Sequence, residues 1–247
     1  MWGSLSIPFD DGFSVMKDAL EIDPDFRDFH DFCRNNSIPF NVISAGLKPV
    51  LRKVLDHFLG EEASGDIDIV ANDVVIPDKE SGEGWKPVWL HETELGHDKA
   101  LSITEARATA TLSCEDGTIP LIVFIGDGVS DLPAAREADV LFARRGLRLE
   151  EYCVEHQIPY HPFDTFADIQ KEIIAIAKAD EEKTKGHGLP AQFNPRANMW
   201  RRASSKTAMP VYLAKTPKDE RMFVWPEIAS MLDDVKPEGT AIAAPVA

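Results

Sequence analysis

The sequence predicts an α/β fold, with a mostly parallel sheet and helices on both of its faces. Hydrophobic residues make up 44% of the 247 residues, enough for the core of one ordinary domain. Short apolar runs alternate with segments whose apolar residues recur at helical spacing, and this alternation is typical of parallel sheets. Two of the runs, PFNVIS (39–44) and LIVFIGD (121–127), end in polar residues. Because ligands bind beyond the carboxyl ends of parallel strands, we expect functional residues just after positions 43, 125 and 143.

The first predicted elements lie within residues 11–36, which we expect to form two helices. The second helix is predicted to open on Asp23-Pro24-Asp25, since aspartate can cap a helix and proline suits its first position. Its apolar residues then recur at helical spacing: Phe26, Phe29, Phe32 and Cys33. A short buried strand is predicted at 39–44. The segment LKPVLRKVLDHFLG (47–60) presents one apolar helix face and ends on a glycine.

The later segments continue this alternation and then stop. We expect extended segments at 66–76, 85–91, 121–127 and 140–143, and helices at 99–112, 131–138, 147–156 and 166–183. From residue 184 onwards no hydrophobic period is visible. Residues 184–247 are therefore predicted to be a largely irregular, flexible extension, with a short helix near 226–232. Its basic and aromatic residues cluster at Trp200-Arg201-Arg202.

Charge and cysteine content narrow the classes of function. The net charge of −16 and the pI of about 4.8 argue against nucleic-acid binding, which needs clustered Lys and Arg. Cys33, Cys114 and Cys153 form no CxxC, which favours reduced thiols over disulfides or a zinc site. No apolar run reaches the roughly 20 residues of a membrane span, and the N-terminus lacks a signal-peptide pattern. We therefore expect a cytoplasmic protein without a membrane partner, and the sequence leaves its oligomeric state open.

The stretch PLIVFIGDGVSD (120–131) joins a buried strand to two carboxylates. Asp127 ends the strand and Asp131 starts the next helix, while Gly126 and Gly128 permit a sharp turn between them. Two carboxylates on one turn repel each other unless a cation lies nearby, and hard oxygen ligands suit Mg²⁺. The stretch therefore predicts a Mg²⁺ site on Asp127 and Asp131. The alternative is a polar turn in which Asp131 only caps the next helix.

The string GDGVSDLPAA resembles the fourth motif of the haloacid dehalogenase (HAD) superfamily of phosphatases. The resemblance implies that Asp127 binds Mg²⁺ and that Asp131 supports the metal site through hydrogen bonds or water. P-type cation ATPases carry a similar string, but they also need membrane helices, for which the sequence shows no apolar run.

The same resemblance implies a second and a third motif, and the sequence supplies both in the expected order. FNVISAGLKP places Ser44 at a strand end before a helix, where its hydroxyl and the N–H groups of Ala45 and Gly46 would bind phosphate. ELGHDKALSI places Lys99 at a helix start, where the helix dipole favours a nearby anion. Taken alone, Ser44 is more simply a helix cap and Lys99 a solvent-exposed lysine.

The resemblance covers about residues 6–178 and points to the phosphoserine-phosphatase-like branch of the family. This branch includes methylthioribulose-pathway phosphatases and fungal sugar-alcohol (polyol) phosphate phosphatases, and the sequence is most similar to the latter. The segments that carry this resemblance are SIPFDDGF, ALEIDPDFRDFHDFC, VISAGLKPVLRKVL, DIDIVANDV, GHDKALSI and DGVSDLPAAREADVLFARRG. The implied fold is a HAD-type, Rossmann-like three-layer α/β/α sandwich. We expect the remnant of a helical cap (1–22), an α/β core (23–183) and the C-terminal extension (184–247).

The first motif of the family, an apolar strand followed by DxDxT, does not occur in the sequence. In the family, its first aspartate is the nucleophile and its second the general acid and base. Asp66-Ile67-Asp68 has the spacing but lacks both the preceding apolar strand and the threonine. Asp23 and Asp25 fail likewise, and Asp10-Asp11 are adjacent rather than spaced.

Position explains this gap. Met1–Phe9 resembles a stretch that lies inside the cap of relatives, so we expect an N-terminally incomplete chain that lacks roughly 60 residues of a typical relative. The nucleophile strand normally lies between the strands that bear the second and fourth motifs, and buried unpaired backbone groups cost about 1–3 kcal/mol each. The sequence is thus an incomplete gene model, or a partner strand fills the slot, or the sheet rearranges.

Two main hypotheses for function follow. The first is a Mg²⁺-dependent phosphomonoester hydrolase acting on a small phosphorylated metabolite, such as a polyol phosphate or a phosphoserine-like compound, and inactive as the sequence stands. The second is a non-catalytic relative that binds phosphate compounds through Ser44, Lys99 and Asp127, or a protein partner through Trp200 and Trp225. A weaker third hypothesis is a flavodoxin-like binding module that matches the motifs by chance.

Overall fold

The computed structural model describes residues 7–77, 84–93, 96–113, 118–185 and 189–190. The chain divides into two units, Met1–Tyr212 and Leu213–Ala247, and every described residue belongs to the first. Along this unit, helices alternate with strands that pair mostly in parallel. The predicted α/β class is therefore confirmed.

The element order follows the predicted alternation. The helices are α1 (Phe9–Lys17), α2 (Phe26–Asn35), α3 (Lys48–Leu59), α4 (Glu61–Gly65), α5 (Lys99–Ser113), α6 (Leu132–Glu137), α7 (Arg148–Glu155) and α8 (Phe166–Thr184). The strands are β1 (Asn41–Leu47), β2 (Asp68–Val75), β3 (Lys86–Val88), β4 (Thr118–Ile119), β5 (Val123–Gly126), β6 (Val140–Arg144), β7 (His161–Phe163) and β8 (Leu189–Pro190). A 3₁₀ turn, Val129–Asp131, precedes α6.

Within the described residues, the strands form three separate sheets. The first has the order β1-β2-β3, with β1 and β2 parallel and β3 antiparallel to β2. The second has the order β5-β6-β7 and is parallel throughout. Strands β4 and β8 form a two-residue antiparallel ribbon. Strands β1 and β5, which carry the predicted site residues at their carboxyl ends, are thus edge strands of two different sheets.

Two clusters of buried apolar side chains pack against the two three-stranded sheets. One contains Phe29 of α2 and the other Phe26 of the same helix. Phe40 and Phe166 pack against both clusters, and the Phe166 ring centroid lies 5.0 Å from that of Phe26 and 5.2 Å from that of Phe29. Burial of one such side chain stabilises the fold by about 1.5–3 kcal/mol. The shared rings join the two clusters, and α2 and α8 thereby connect the two sheets.

Helix α2 begins at Phe26, three residues after the predicted start at Asp23. The Asp23 carboxylate accepts hydrogen bonds from the backbone N–H of Asp25 (3.1 Å) and of Phe166 (3.3 Å), and it lies 3.8 Å from the Arg144 guanidinium. The residue that precedes α2 as its cap is Asp25 rather than Asp23, and the Asp23 carboxylate instead joins the turn before α2 to the start of α8.

The remaining predicted elements are present with shifted ends. Strand β1 extends to Leu47, and only Lys86–Val88 of the segment 85–91 is a strand. The prediction missed α4, β4, β7 and β8 because elements of two to five residues show no hydrophobic period. Predicted features that lie outside the described residues are the helix near 226–232, the Trp200-Arg201-Arg202 cluster, Cys114 and Trp225.

Candidate functional site

Lys99 and Asp131 form a largely buried ion pair between the start of α5 and the turn after β5. Lys99 is the first residue of α5, and its Nζ lies 2.6 Å from Asp131 Oδ1. The two side chains are 13% and 7% exposed, so solvent and salt screen the pair weakly. Asp131 is thus an anion of the kind that the dipole at the start of α5 favours.

The second oxygen of Asp131 shapes the Gly-Asp-Gly turn. Oδ2 accepts hydrogen bonds from the backbone N–H of Asp127 (3.0 Å) and of Gly128 (3.1 Å). At Gly126, a Cβ atom would lie 2.8 Å from this oxygen and 3.0 Å from Asp131 Cγ, so only glycine leaves room for the carboxylate. Asp131 makes no side-chain cap to α6. Its side chain instead caps the 3₁₀ turn before α6 and pairs with Lys99, so the polar turn of the alternative interpretation is present but α6 is not the helix that Asp131 caps.

Asp127 follows β5 directly, and its side chain is exposed. Its hydrogen bonds within the described residues are made by its backbone: the N–H donates to Asp131, and the carbonyl accepts the N–H of Leu149 (3.0 Å). Mg²⁺ in proteins takes one or two carboxylates and otherwise keeps water or substrate oxygens. The described part of the chain holds no group of three or more His, Cys, Asp or Glu that could bind a metal. One exposed carboxylate is compatible with a Mg²⁺ ion that keeps water or substrate oxygens as its other ligands.

Ser44 lies at a bulge in β1. Strand β1 pairs with β2 as far as Ser44, and the register resumes at Leu47, so Ala45 and Gly46 have no partner in the ladder. Ser44 Oγ accepts the N–H of Gly46 at 3.0 Å, which leaves the hydroxyl proton of Ser44 available to another acceptor. Helix α3 begins only at Lys48. The expected helix N-terminus at Ser44–Gly46 is therefore a strand bulge, and the N–H of Gly46 is not free.

Two buried side chains that the sequence analysis missed contact this bulge. His97 Nδ1 lies 2.6 Å from the Ser44 carbonyl oxygen, and His97 Nε2 lies 2.9 Å from Ser102 Oγ. Burial lowers the pKa of His97. Asn72 Nδ2 donates to the Ala45 carbonyl oxygen at 2.9 Å. The only signal for them in the sequence was their place in the segments GHDKALSI and DIDIVANDV.

The structure brings the predicted residues together in two steps. Lys99 and Asp131 are in direct contact, and Asp131 fixes the backbone of Asp127. Ser44 is connected to the start of α5 through His97, two residues before Lys99. No hydrogen bond in the described part of the chain joins Ser44 directly to Asp127. The start of α5 thus contacts both the turn that carries Asp127 and the strand end that carries Ser44, and a hydroxyl, an ammonium group and a carboxylate are groups that can bind a phosphate and its cation.

In each of the three aspartate pairs that were considered as replacements for DxDxT, one member is bonded to a different part of the chain. Asp10 Oδ1 lies 2.7 Å from Lys53 Nζ, and Asp66 Oδ2 lies 2.7 Å from Arg34 Nε. Asp23 holds the start of α8. None of these contacts involves Ser44, Lys99, Asp127 or Asp131.

Comparison with known proteins shows the family. The family model for haloacid dehalogenase-like hydrolases matches residues 9–136, a range that contains Ser44, Lys99, Asp127 and Asp131. The chain belongs to the haloacid dehalogenase-like hydrolases. The predicted family resemblance is therefore confirmed.

Curated relatives of this HAD chain include phosphatases. It is 36% identical over 187 residues to a polyol phosphate phosphatase of Saccharomyces cerevisiae, covering 74% of this chain and 76% of the relative. It is 37% identical over 174 residues to Pdp3-interacting factor 1 of Schizosaccharomyces pombe (70% and 72%). It is 30% identical over 164 residues to a 2-hydroxy-3-keto-5-methylthiopentenyl-1-phosphate phosphatase of Bacillus mycoides (66% and 68%). The predicted similarity to fungal polyol phosphate phosphatases is thus confirmed.

Among the helices that the structure describes, none is a candidate for a membrane span. Each of these helices is too short or too polar to cross a bilayer.

Proposed function

We propose that this protein is a Mg²⁺-dependent phosphomonoester hydrolase that acts on a small phosphorylated metabolite, namely a polyol phosphate or a phosphoserine-like compound. The observation that carries the proposal is the buried Lys99–Asp131 pair beside the exposed carboxylate of Asp127, in a HAD chain. The relatives support the substrate class, since two of them are named as phosphatases of a polyol phosphate and of a methylthiopentenyl phosphate.

In this proposal, Ser44 and Lys99 bind the phosphoryl oxygens. The hydroxyl of Ser44 already accepts a hydrogen bond from Gly46 and can donate its own proton. The ammonium group of Lys99 is held by Asp131 and has further protons to donate. We assign a third donor to the N–H of Ala45, a residue that has no paired residue in β2. Donors that are fixed before the substrate arrives stabilise negative charge on the phosphoryl group.

We assign Asp127 the direct contact to Mg²⁺ and Asp131 the supporting contact. The oxygens of Asp131 already accept hydrogen bonds from Lys99, Asp127 and Gly128, whereas the Asp127 carboxylate is exposed. A bound Mg²⁺ ion neutralises charge on the phosphoryl oxygens. Asp131 contributes by holding the turn that presents Asp127.

A second function is favoured by one specific observation. The 247 residues contain no DxDxT, and the family resemblance implies that the aspartate nucleophile comes from that motif. We therefore propose that a chain of this sequence binds phosphate compounds and Mg²⁺ without turning over a phosphate ester. Ser44, Lys99 and Asp127 serve the same binding roles in both functions.

We further propose a cytoplasmic location and the division into a cap remnant (1–22), a core (23–183) and an extension (184–247). The buried, free thiols of Cys33 and Cys153 support a reducing compartment. The net charge of −16 supports a small metabolite rather than a nucleic acid as the ligand.

Calorimetric titration of inorganic phosphate into the 247-residue chain, with and without Mg²⁺, tests the site. We expect phosphate binding that Mg²⁺ strengthens, and we expect Asp127→Asn to weaken the Mg²⁺ effect by about tenfold or more. Asp28→Asn, which removes an exposed carboxylate on α2, is the matched control and should behave like the unmodified chain. If phosphate binds neither with nor without Mg²⁺, both proposed functions are contradicted.

Phosphate release from glycerol phosphate and phosphoserine separates the two functions. The binding function predicts no release above background by this chain, with binding retained. Mg²⁺-dependent release above background would overturn the binding-only function and establish the hydrolase. Asp127→Asn should abolish any such release, since Asp127 is the residue assigned to the ion.

A further inference from the structure

The bulge at Ala45 and Gly46 is the feature from which the inference starts. In the register of β1 with β2, Ser44 pairs with Ala71 and the next paired residue is Leu47, which pairs with Asn72. Bulges are over-represented next to active sites, where they change the direction of a side chain or end the strand pairing. A buried backbone carbonyl needs a hydrogen-bond donor. The donors that contact the carbonyls around this bulge therefore determine how its peptide groups are oriented.

His97 is the partner of the first carbonyl. Its Nδ1 lies 2.6 Å from the Ser44 carbonyl oxygen, and the side chain is almost fully buried. Because a carbonyl oxygen only accepts hydrogen bonds, the proton of the neutral imidazole is assigned to Nδ1. Nε2 then accepts from the Ser102 hydroxyl at 2.9 Å. Both ring nitrogens are therefore used, one by the bulge and one by α5.

Asn72 is the partner of the second carbonyl. Its Nδ2 donates to the Ala45 carbonyl oxygen at 2.9 Å, and its Oδ1 accepts the N–H of Leu90 at 3.0 Å. Asn72 has no exposed surface. The carbonyl of Ser44, just before the bulge, and that of Ala45, within it, are thus each held by a different buried side chain, one from the segment before α5 and one from β2.

These two hydrogen bonds also determine where the N–H groups of the bulge point. In a trans peptide the C=O and N–H bonds point in opposite directions. Holding the Ser44 carbonyl therefore orients the N–H of Ala45, and holding the Ala45 carbonyl orients the N–H of Gly46. The latter donates to Ser44 Oγ, which leaves the hydroxyl proton of Ser44 for another acceptor.

We infer that His97 and Asn72 are positioning residues, which hold Ser44, Ala45 and Gly46 in the conformation that binds a phosphate group. The inference rests on the proposed function, in which this bulge contacts the phosphoryl oxygens. His97 also fixes the distance between Ser44 and the start of α5, where Lys99 lies. Asp98, between His97 and Lys99, caps this helix by accepting the N–H of Ala100 at 2.9 Å.

Two substitutions at one position separate this role from a general contribution to folding. In His97→Asn, the side-chain amide nitrogen can take the place of Nδ1 and keep the bond to the Ser44 carbonyl. In His97→Gln, the longer side chain reaches the position of Nε2, where its amide oxygen can accept from the Ser102 hydroxyl, while the bond to the Ser44 carbonyl is lost. Each variant thus retains one of the two bonds that the structure shows.

The measurement is the Kd for inorganic phosphate in the presence of Mg²⁺, together with the Tm of each variant of the full chain. We expect His97→Asn to bind within about threefold of the unmodified chain and His97→Gln to bind about tenfold or more weakly. Ser102→Ala, which leaves the Ser44 bond intact, should bind like the unmodified chain. Equal weakening of the two His97 variants, or unchanged binding in His97→Gln, would overturn the inference.

A spectroscopic readout on the unmodified chain makes the test independent of variant folding. Adding inorganic phosphate should shift the backbone amide NMR signals of Ala45 and Gly46, and unchanged signals in a chain that binds phosphate would overturn the inference while leaving the proposed function standing. A chain that binds no phosphate at all would overturn the proposed function, and the inference would fall with it.

Discussion

The ammonium group of Lys99 lies 2.6 Å from the Asp131 carboxylate, and this contact joins α5 to the turn after β5. Two aspartates four residues apart, Asp127 and Asp131, would repel each other on so short a turn. The structure compensates the charge of the buried one through Lys99 and leaves Asp127 exposed. The two carboxylates therefore have different roles: Asp131 organises the turn, and Asp127 faces solvent.

Removing Asp131 should destabilise the protein strongly. Asp131→Ala leaves the largely buried Lys99 without its anion and two backbone N–H groups without their acceptor, so we expect a loss of about 3–5 kcal/mol in the free energy of unfolding. Urea denaturation measures this loss, with Ser130→Ala, at an exposed neighbouring position, as the control. A loss below about 1 kcal/mol for Asp131→Ala would show that the pair is not structural.

Gly126 is expected to tolerate no side chain. In Gly126→Ala the new Cβ would lie 2.8 Å from Asp131 Oδ2, and the required shift of the carboxylate should cost about 1–3 kcal/mol. Gly65→Ala is the matched control, because a Cβ at Gly65 meets nothing within 4 Å. Thermal and urea unfolding of the two variants should differ clearly. Equal stability would mean that the turn can relax without cost.

The predictable part of the site was the part that shows a local pattern. An apolar run followed by Gly-Asp-Gly placed Asp127 correctly after a strand, and the helical spacing after residue 98 placed Lys99 at a helix start. Periodicity and turn chemistry act over a few residues, so a single sequence reveals them. The α/β class followed from the same alternation.

The unpredictable part depends on contacts between distant segments. Asn72 is 27 positions from Ala45, and His97 is 53 positions from Ser44. Neither residue type marks a site on its own, and no local pattern reports which carbonyl a buried side chain will meet. The bulge in β1 was missed for the same reason, since its register is set by pairing with β2.

The Arg107–Asp139 contact should stabilise the fold through both charge and hydrogen bonding. Asp139 Oδ2 lies 2.8 Å from Arg107 Nη1 and accepts the N–H of Ile122 at 2.9 Å, and its side chain is fully buried. We expect Asp139→Ala to cost about 3–5 kcal/mol. Asp139→Asn, which can still accept from Ile122, should cost less than Asp139→Ala. Urea denaturation of the two variants measures the difference.

An exposed ion pair supplies the control for this prediction. Arg148 and Glu151 lie 2.9 Å apart with side chains that are 74% and 57% exposed. Glu151→Gln should therefore change the free energy of unfolding by no more than about 0.5 kcal/mol. If Asp139→Asn has as small an effect as Glu151→Gln, the buried pair does not stabilise this fold.

The two buried thiols should make stability fall at alkaline pH. Burial raises the pKa of Cys33 to about 11 and the pKa of Cys153 to about 12, from 9.0 in the unfolded chain. Between pH 9 and 11 the unfolded chain therefore releases protons that the folded chain keeps, so this contribution to stability is complete below pH 9 and is lost as the pH rises. At pH 10 we expect a loss of about 1 kcal/mol per thiol relative to pH 8.

The free energy of unfolding in urea, measured from pH 8 to pH 10.5, tests this prediction. Other groups also titrate in this range, so the informative quantity is the difference in slope between the unmodified chain and the Cys33→Val/Cys153→Val variant. The variant should lose less stability as the pH rises, whatever its absolute stability at pH 8. Parallel slopes would mean that the two thiols ionise equally easily in the folded and unfolded chains, and the pKa shifts attributed to burial would be wrong.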